Sequence, residues 1–397
     1  MKIYLVKPVN TIEPWMKNSG EIILNDINLE QRIKNQFPSH ALELDLKEAE
    51  SQMGMELEER VICFYNTFLS DQLVKKFFSM AHKKKKSFQC FVKKRATLIF
   101  TSEEDQGEIA LPLYYIKSGE SIHDCHPEIL EEADVYQLAT GLPQSIMQKK
   151  NTIIPFNTMV GIQVNDWSEL LLASSLYARE FIIKQLFKMS PYLWKSLIHY
   201  LAELPFIAKK IKKIGKNCQI HPTAIIEGSI IGDNVVIGAH SYIRASVIGN
   251  NTHIRERSSV ILSVIGQGNF ITTSNIFNVL MGNDCLMFTQ LLVNCVLGSR
   301  NFIGGGSGFS DFEFYRQMAT MDYKGEKKET LHQFLASATG DDCYVGAGLI
   351  FKPGKMLPNK SHFLNKNMID EIPSKEGLTF IANQGKLTVI PQAFLRG

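Results

Sequence analysis

The sequence predicts an α/β domain followed by a parallel β-helix, a solenoid of flat-sided coils whose like residues stack from one coil to the next. Three observations carry this reading. Large apolar residues recur every six positions from Ile214 onward, Gly, Asn and Asp recur between them, and the first 160 residues alternate short apolar strands with amphipathic helices.

At 397 residues, 45% hydrophobic and 21% charged, the chain exceeds one ordinary domain and can bury sizeable cores. A net charge of +3 over this length is too small for the electrostatic footprint of a nucleic-acid binder, so no nucleic acid is expected as a partner. The seven cysteines form no C-x-x-C pair and are odd in number, which indicates neither a disulfide framework nor a zinc site. Cys218, Cys285 and Cys343 share one small-residue place in the repeat and read as buried filler. With no long apolar run and no signal segment, the expectation is a soluble, cytoplasmic protein.

The first half, residues 1–160, opens with a strand at Lys2–Val6 and a helix over Leu29–Phe37. A strand at Val61–Tyr65 and a helix over Asp71–Lys83 follow. Such alternation favours a largely parallel sheet, which places the loop from Asn66 to Asp71 at the carboxyl edge where open α/β folds bind ligands. The basic run Lys83–Lys86 reads as a solvated helix end.

A helical connector over 161–213 joins the two parts. Asp166 or Ser168 can cap a helix running to about Lys188. A second segment, Tyr192–Lys213, is apolar on one side and ends in four lysines. It suits either peripheral membrane contact or packing beneath the first coil; Pro205, which interrupts a continuous interfacial helix, favours packing.

The repeats occupy 214–368. The groups are Ile214, Ile220, Ile226; Ile231, Ile237, Ile243; Ile248, Ile254, Val260; Ile265, Ile271, Phe277; Met281, Met287, Val293; and Leu297, Ile303, Phe309. Their starts lie 17 residues apart three times and then 16 apart twice, as expected for coils that close on three sides with one short corner. Corners such as Ile231-Gly232-Asp233-Asn234 supply residues that tolerate positive φ. The period stops after Phe309 and resumes at Thr339-Gly340-Asp341-Asp342, so residues 310–338 must leave the solenoid. Such an excursion builds a site or serves as an oligomer arm, because the scaffold holds its ends and frees its tip. The last segment, 369–397, reads as a hairpin around Asn383-Gln384-Gly385-Lys386.

The order of parts resembles sugar-1-phosphate nucleotidyltransferases that carry a hexapeptide-repeat acyltransferase domain. The likeness rests on Gly161-Ile162-Gln163-Val164-Asn165-Asp166 with Trp167-Ser168-Glu169-Leu170, on Ala224-Ile225-Ile226-Glu227-Gly228, and on Thr339-Gly340-Asp341-Asp342-Cys343-Tyr344-Val345-Gly346. The resemblance implies an N-terminal nucleotidyltransferase-like domain, left-handed winding of the β-helix, homotrimers, acyl-CoA as donor, and Mg2+ held in part by Asn165. Three departures qualify it. Lys2 to Lys17 contains no glycine where the family has a glycine-rich phosphate loop, Asn66 stands where a metal-binding aspartate belongs, and Phe288 stands near the place of the catalytic histidine.

The candidate catalytic residues are therefore taken from the excursion, with His332 as general base and Asp311 as the acidic candidate; His221, His240 and His253 on the coils are further histidines. Asn66, Asn165, Arg316 and Lys324 are the candidates for binding a sugar phosphate or nucleotide sugar, and no metal ligand set is assigned. The expected activity is a divergent sugar-nucleotide or acyl transferase. The alternative is a non-catalytic chain whose first domain binds and whose β-helix assembles it.

Overall fold

A computed structural model describes residues 1–9, 11–15, 17–18, 23–24, 27–54, 56–84, 86–99, 106–130, 136–139, 153–189, 212–312, 318–365, 379–383 and 386–390. The elements of the first domain are β1 Lys2–Val6, α1 Leu29–Gln36, β2 Leu42–Leu44, α2 Leu46–Met53, β3 Arg60–Phe64, β4 Thr67–Leu69, α3 Asp71–Ala81, β5 Phe88–Lys93, β6 Glu108–Ile116, β7 His126–Ile129 and β8 Gly161–Gln163. α1, α2 and α3 each start where a short polar side chain satisfies a free amide. Asn28 Oδ1 accepts from Gln31 N at 2.7 Å, Asp45 and Glu48 form a capping box, and Ser70 Oγ accepts from Leu73 N.

The sheet order is β7-β5-β6-β3-β1-β2. Here the structure corrects the expectation of a largely parallel sheet. β1 runs parallel to both β2 and β3, but β6 is antiparallel to β3 and to β5. Between β5 and β6 the described residues form a single helical turn, Lys94–Thr97, and a parallel pair needs a longer crossover, usually a full helix. β8, at the predicted start of the connector, pairs antiparallel with β4.

The second half is a parallel β-helix. On its second face eight strands stack in parallel, from Gln219–Ile220 to His362–Phe363. Ile237, Ile254, Ile271, Met287, Ile303 and Val345 point inward there and are essentially sealed from solvent. Burial of each contributes about 1.5–3 kcal/mol relative to exposure.

Two inward assignments need correction. In the fourth and fifth groups the buried residues are Ile276 and Leu292, while Phe277 and Val293 are half-buried on the outside. Ile276 is in register with Val260 and Leu292 with Ile276. The residue missing from each 16-residue coil is lost at the corner before the third face, where five steps replace six.

α4, Trp167–Met189, lies between the two halves. On one side it meets Ile12, Leu29 and Phe68; on the other it meets Val247, Val264, Leu280 and Val296, which stack in register along the outside of the first face. Near its far end Ile182 and Ile183 reach Ala245, Leu262 and the Gly228 turn. A helix covered on two sides carries apolar residues around most of its circumference, as this one does. The Tyr192–Lys213 segment lies outside the described residues up to residue 211; Lys212–Ile214 forms the edge strand of the first face.

The excursion leaves after Gly308–Phe309, forms a hairpin of Thr320–Tyr323 with Glu326–Glu329, and rejoins the first face at Ala338–Thr339. Ala319, Met321 and Leu335 join the apolar cluster around α4. The final hairpin pairs Thr379–Asn383 with Lys386–Ile390. Cys285 and Cys343 are buried, Cys218 partly so, and all seven thiols are free. Among the described residues no helix is long and apolar enough to cross a membrane.

Candidate functional site

The start of α4 gathers the polar groups of three parts of the chain. Asp166 is fully buried, and its Oδ1 accepts from Ser168 N at 2.8 Å, Ser168 Oγ at 2.7 Å and Glu169 N at 3.0 Å. This satisfies the free amides of the first turn. Its Oδ2 accepts a short hydrogen bond from Lys328 Nζ of the excursion hairpin. Glu169 Oε2 accepts from Asn165 N at 2.7 Å, and Oε1 lies 3.7 Å from Lys328. Tyr323 Oη donates to Asn165 O at 2.8 Å.

His332 is buried in the same cluster, with Nε2 2.8 Å from Ser168 O. A carbonyl oxygen only accepts, so the proton sits on Nε2. Burial holds the imidazole below its ordinary pKa, against the pull of Ser168 O and Asp166. Two carboxylates share one ammonium here. Burial first, and the Asp166 charge second, push Glu169 up to about 7, while Lys328 opposes them.

Among the candidate binding residues, Asn66 and Asn165 do meet. Asn66 Nδ2 donates to Asn165 Oδ1 at 3.2 Å and to Val164 O at 3.3 Å. Asn66 Oδ1 is buried without a hydrogen-bond partner. These residues do not fit Mg2+. A hard dication needs several oxygen ligands with negative charge, and the pair offers two neutral amides while the adjacent Asp166 is held by Lys328. Among the described residues no group of three or more metal-ligating side chains forms.

The other candidates are dispersed. Lys324 sits in the hairpin turn at φ 50°, its backbone amide donating to Glu13 Oε2 at 3.1 Å. Asp311 accepts from Asn294 Nδ2 at 2.7 Å, and Asn294 Oδ1 accepts in turn from Asn278, giving a stacked amide ladder rather than a pair with His332. Arg316 lies outside the described residues. Phe288 is 45% exposed on the second face, edging a column in which Phe302 and Tyr344 stack with centroids 4.5 Å apart.

The cluster ties the excursion, the connector and the first domain together, and His332 bonds to backbone inside it, closed to solvent. Sequence reasoning did not single out Glu169 or Tyr323. Glu169 carried a signal, since an acidic side chain three residues after an N-terminal Asp is the capping signature. Tyr323 carried none.

Residues 212–245 match the family model described as bacterial transferase hexapeptide (six repeats). No curated protein matches. Among solved structures, a Bacillus cereus protein described as an acetyltransferase is similar at 18% identity, covering 38% of this chain and 77% of its own, with a TM-score of 0.16. A histidine-to-alanine variant of GDP-perosamine N-acetyl transferase from Caulobacter crescentus, in complex with CoA and GDP-perosamine, is similar at 16% identity. It covers 38% of this chain and 53% of its own, with a TM-score of 0.13.

Proposed function

We propose that this chain is an acyltransferase that moves an acyl group from acyl-CoA to an amine or hydroxyl of a nucleotide-linked or phosphorylated sugar. It would work as a homotrimer of left-handed hexapeptide solenoids. The observation that carries the reading is a transferase-type repeat at residues 212–245 that continues as a rigid prism broken by one excursion, 310–338. A stiff prism with one projecting segment can hold a long, thin donor along its face while the projection shapes the acceptor end.

In this reading His332 positions the excursion, because a base must reach its proton and this imidazole is sealed against Ser168 O. General base catalysis falls instead to solvent-exposed histidines of the open second face, His253 beside Phe270 and His362 beside Tyr344. Asp311 holds the amide ladder, and Arg316 and Lys324 remain the candidates for the sugar phosphate. The seven free thiols support a reducing compartment such as the cytoplasm.

The test is acetyl-CoA consumption, read as free thiol, against a panel of nucleotide-linked amino sugars. Acceptor-dependent release, abolished in His253→Ala or His362→Ala, is the expected result. Folded protein that is silent across the panel would overturn the proposal. Light scattering should give three times 44.9 kDa.

A second reading applies to the first domain alone. Asn66 and Asn165 bond to each other and Lys328 occupies Asp166, which favours a binding or assembly unit over nucleotidyl transfer. Pyrophosphate released from a nucleoside triphosphate and a sugar phosphate would refute it.

A further inference from the structure

A cavity of about 370 Å³ opens between the first turn of α3 and the outer part of α4, well along the helix from the cluster around Asp166. Arg179 forms part of its wall and is 2% exposed. Among the described residues its guanidinium donates only to backbone carbonyls: Pro155 O at 2.7 Å, Leu98 O and Thr97 O at 3.3 Å, and Ser175 O at 3.4 Å. No carboxylate among the described residues pairs with it. A buried charge without a counter-charge is costly, and burial lowers the Arg179 pKa to about 9.

The surrounding ions do not cancel this charge. Arg32 and Lys184 are shared between Asp71 and Glu180, with Arg32 Nη2 2.6 Å from Glu180 Oε2 and Lys184 Nζ 2.7 Å from Asp71 Oδ2. Lys75 stands at the wall and forms no ion pair among the described residues. Among the described residues, Lys75, Arg179 and Lys184 of the wall, with Arg32 paired to it from outside, thus meet the two carboxylates Asp71 and Glu180, a surplus of two positive charges.

A second, independent observation comes from Asn157. It also lines the cavity and is 7% exposed, yet neither its amide nitrogen nor its amide oxygen has a hydrogen-bond partner. Buried polar atoms are nearly always paired, so a side chain with both ends unmet marks a place where a partner is missing. The α3 N-terminus adds a positive dipole end to the same space.

We propose that this cavity binds a small phosphomonoester, its dianion balancing the cationic surplus and its polar body engaging Asn157. A phosphomonoester carries close to two negative charges at neutral pH, which matches the surplus; a simple carboxylate carries one. The site is independent of acyl transfer on the β-helix and stands or falls apart from it.

The test is thermal denaturation and calorimetry on the full chain with inorganic phosphate and glucose 6-phosphate, against sodium acetate at equal ionic strength. Saturable stabilisation by a phosphate probe, with acetate at least tenfold weaker, is expected. Lys75→Glu, on the surface, should weaken binding tenfold or more. Asn157→Leu should do the same while leaving the ligand-free protein at least as stable, because two unmet polar atoms are removed. The proposal is overturned by the absence of saturable binding, by acetate binding as well as phosphate, or by either folded variant binding within threefold of the parent. Should Asn157→Leu not fold, Lys75→Glu alone decides.

Discussion

Replacing Glu169 with glutamine should make the protein more stable in alkali and leave it unchanged in acid. Glu169 shares a buried corner with Asp166, Lys328, Tyr323 and His332, and its carboxyl is pushed from 4.5 up to about 7 by burial and by Asp166. Between those two values the folded chain holds a proton that the unfolded chain has released. Stability from this group is therefore full below pH 4.5, falls as pH rises towards 7, and is flat above that. At about 1.4 kcal/mol per pH unit the ceiling on the loss is about 3 kcal/mol. The pull of Lys328, 3.7 Å away, is already contained in that shift, so the expected loss is about 2–3 kcal/mol. Glutamine is neutral throughout, and its carbonyl can still accept from Asn165 N. In urea denaturation Glu169→Gln should match the parent near pH 4.5 and exceed it by about 2–3 kcal/mol at pH 8.5. A difference that does not vary with pH, or a loss of stability at pH 8.5, would refute the reasoning.

His332 acts with the opposite sign. Its folded pKa is depressed below 6.5, so its contribution is present above that value and lost as pH falls through it; His332→Gln should flatten the acid limb of a stability profile taken between pH 5 and 7.5. The corner correction predicts that Leu292→Ala costs about 2–5 kcal/mol and Val293→Ala less than about 1, read from denaturation midpoints; equal costs would restore the original register. At Gly249 an added Cβ would lie 2.5 Å from the Gly266 carbonyl carbon in the next coil, so Gly249→Ala should destabilise by about 1–3 kcal/mol or more and lower the melting temperature.

Much of the solenoid was legible because its period is local. Each inward isoleucine is a fixed number of residues from the next, and the corners declare themselves by residue type; Asn234, Asn251 and Asp284 do adopt positive φ. Reading by a strict six went wrong at Phe277 and Val293, where a corner shortened by one residue moves the inward place to Ile276 and Leu292. The sequence held one further signal that was passed over. Val247-Ile248, Val264-Ile265, Leu280-Met281 and Val296-Leu297 are apolar pairs on single strands, and a strand that is apolar on both faces is covered on both. Those pairs mark the bed of α4.

The site was less legible. The sheet-edge argument pointed to Asn66 and the family resemblance to Asn165, and the two side chains meet. His332 was chosen as a base from its irregular surroundings, but what a histidine does depends on which groups enclose it. Ser168, 164 residues away, encloses this one.

By itself the sequence determined the coiled half, its corners, the place of the excursion and two strands and two helices of the first domain, since all of these follow from contacts between near neighbours or stacked repeats. Tertiary structure alone decided the antiparallel turn of β6, the burial of α4 between two surfaces, the capture of Asp166 by Lys328 and the unbalanced charge around Arg179. Each of these depends on what lies across a gap of many residues, where burial and field are set by the packed whole and leave no periodic trace in the chain.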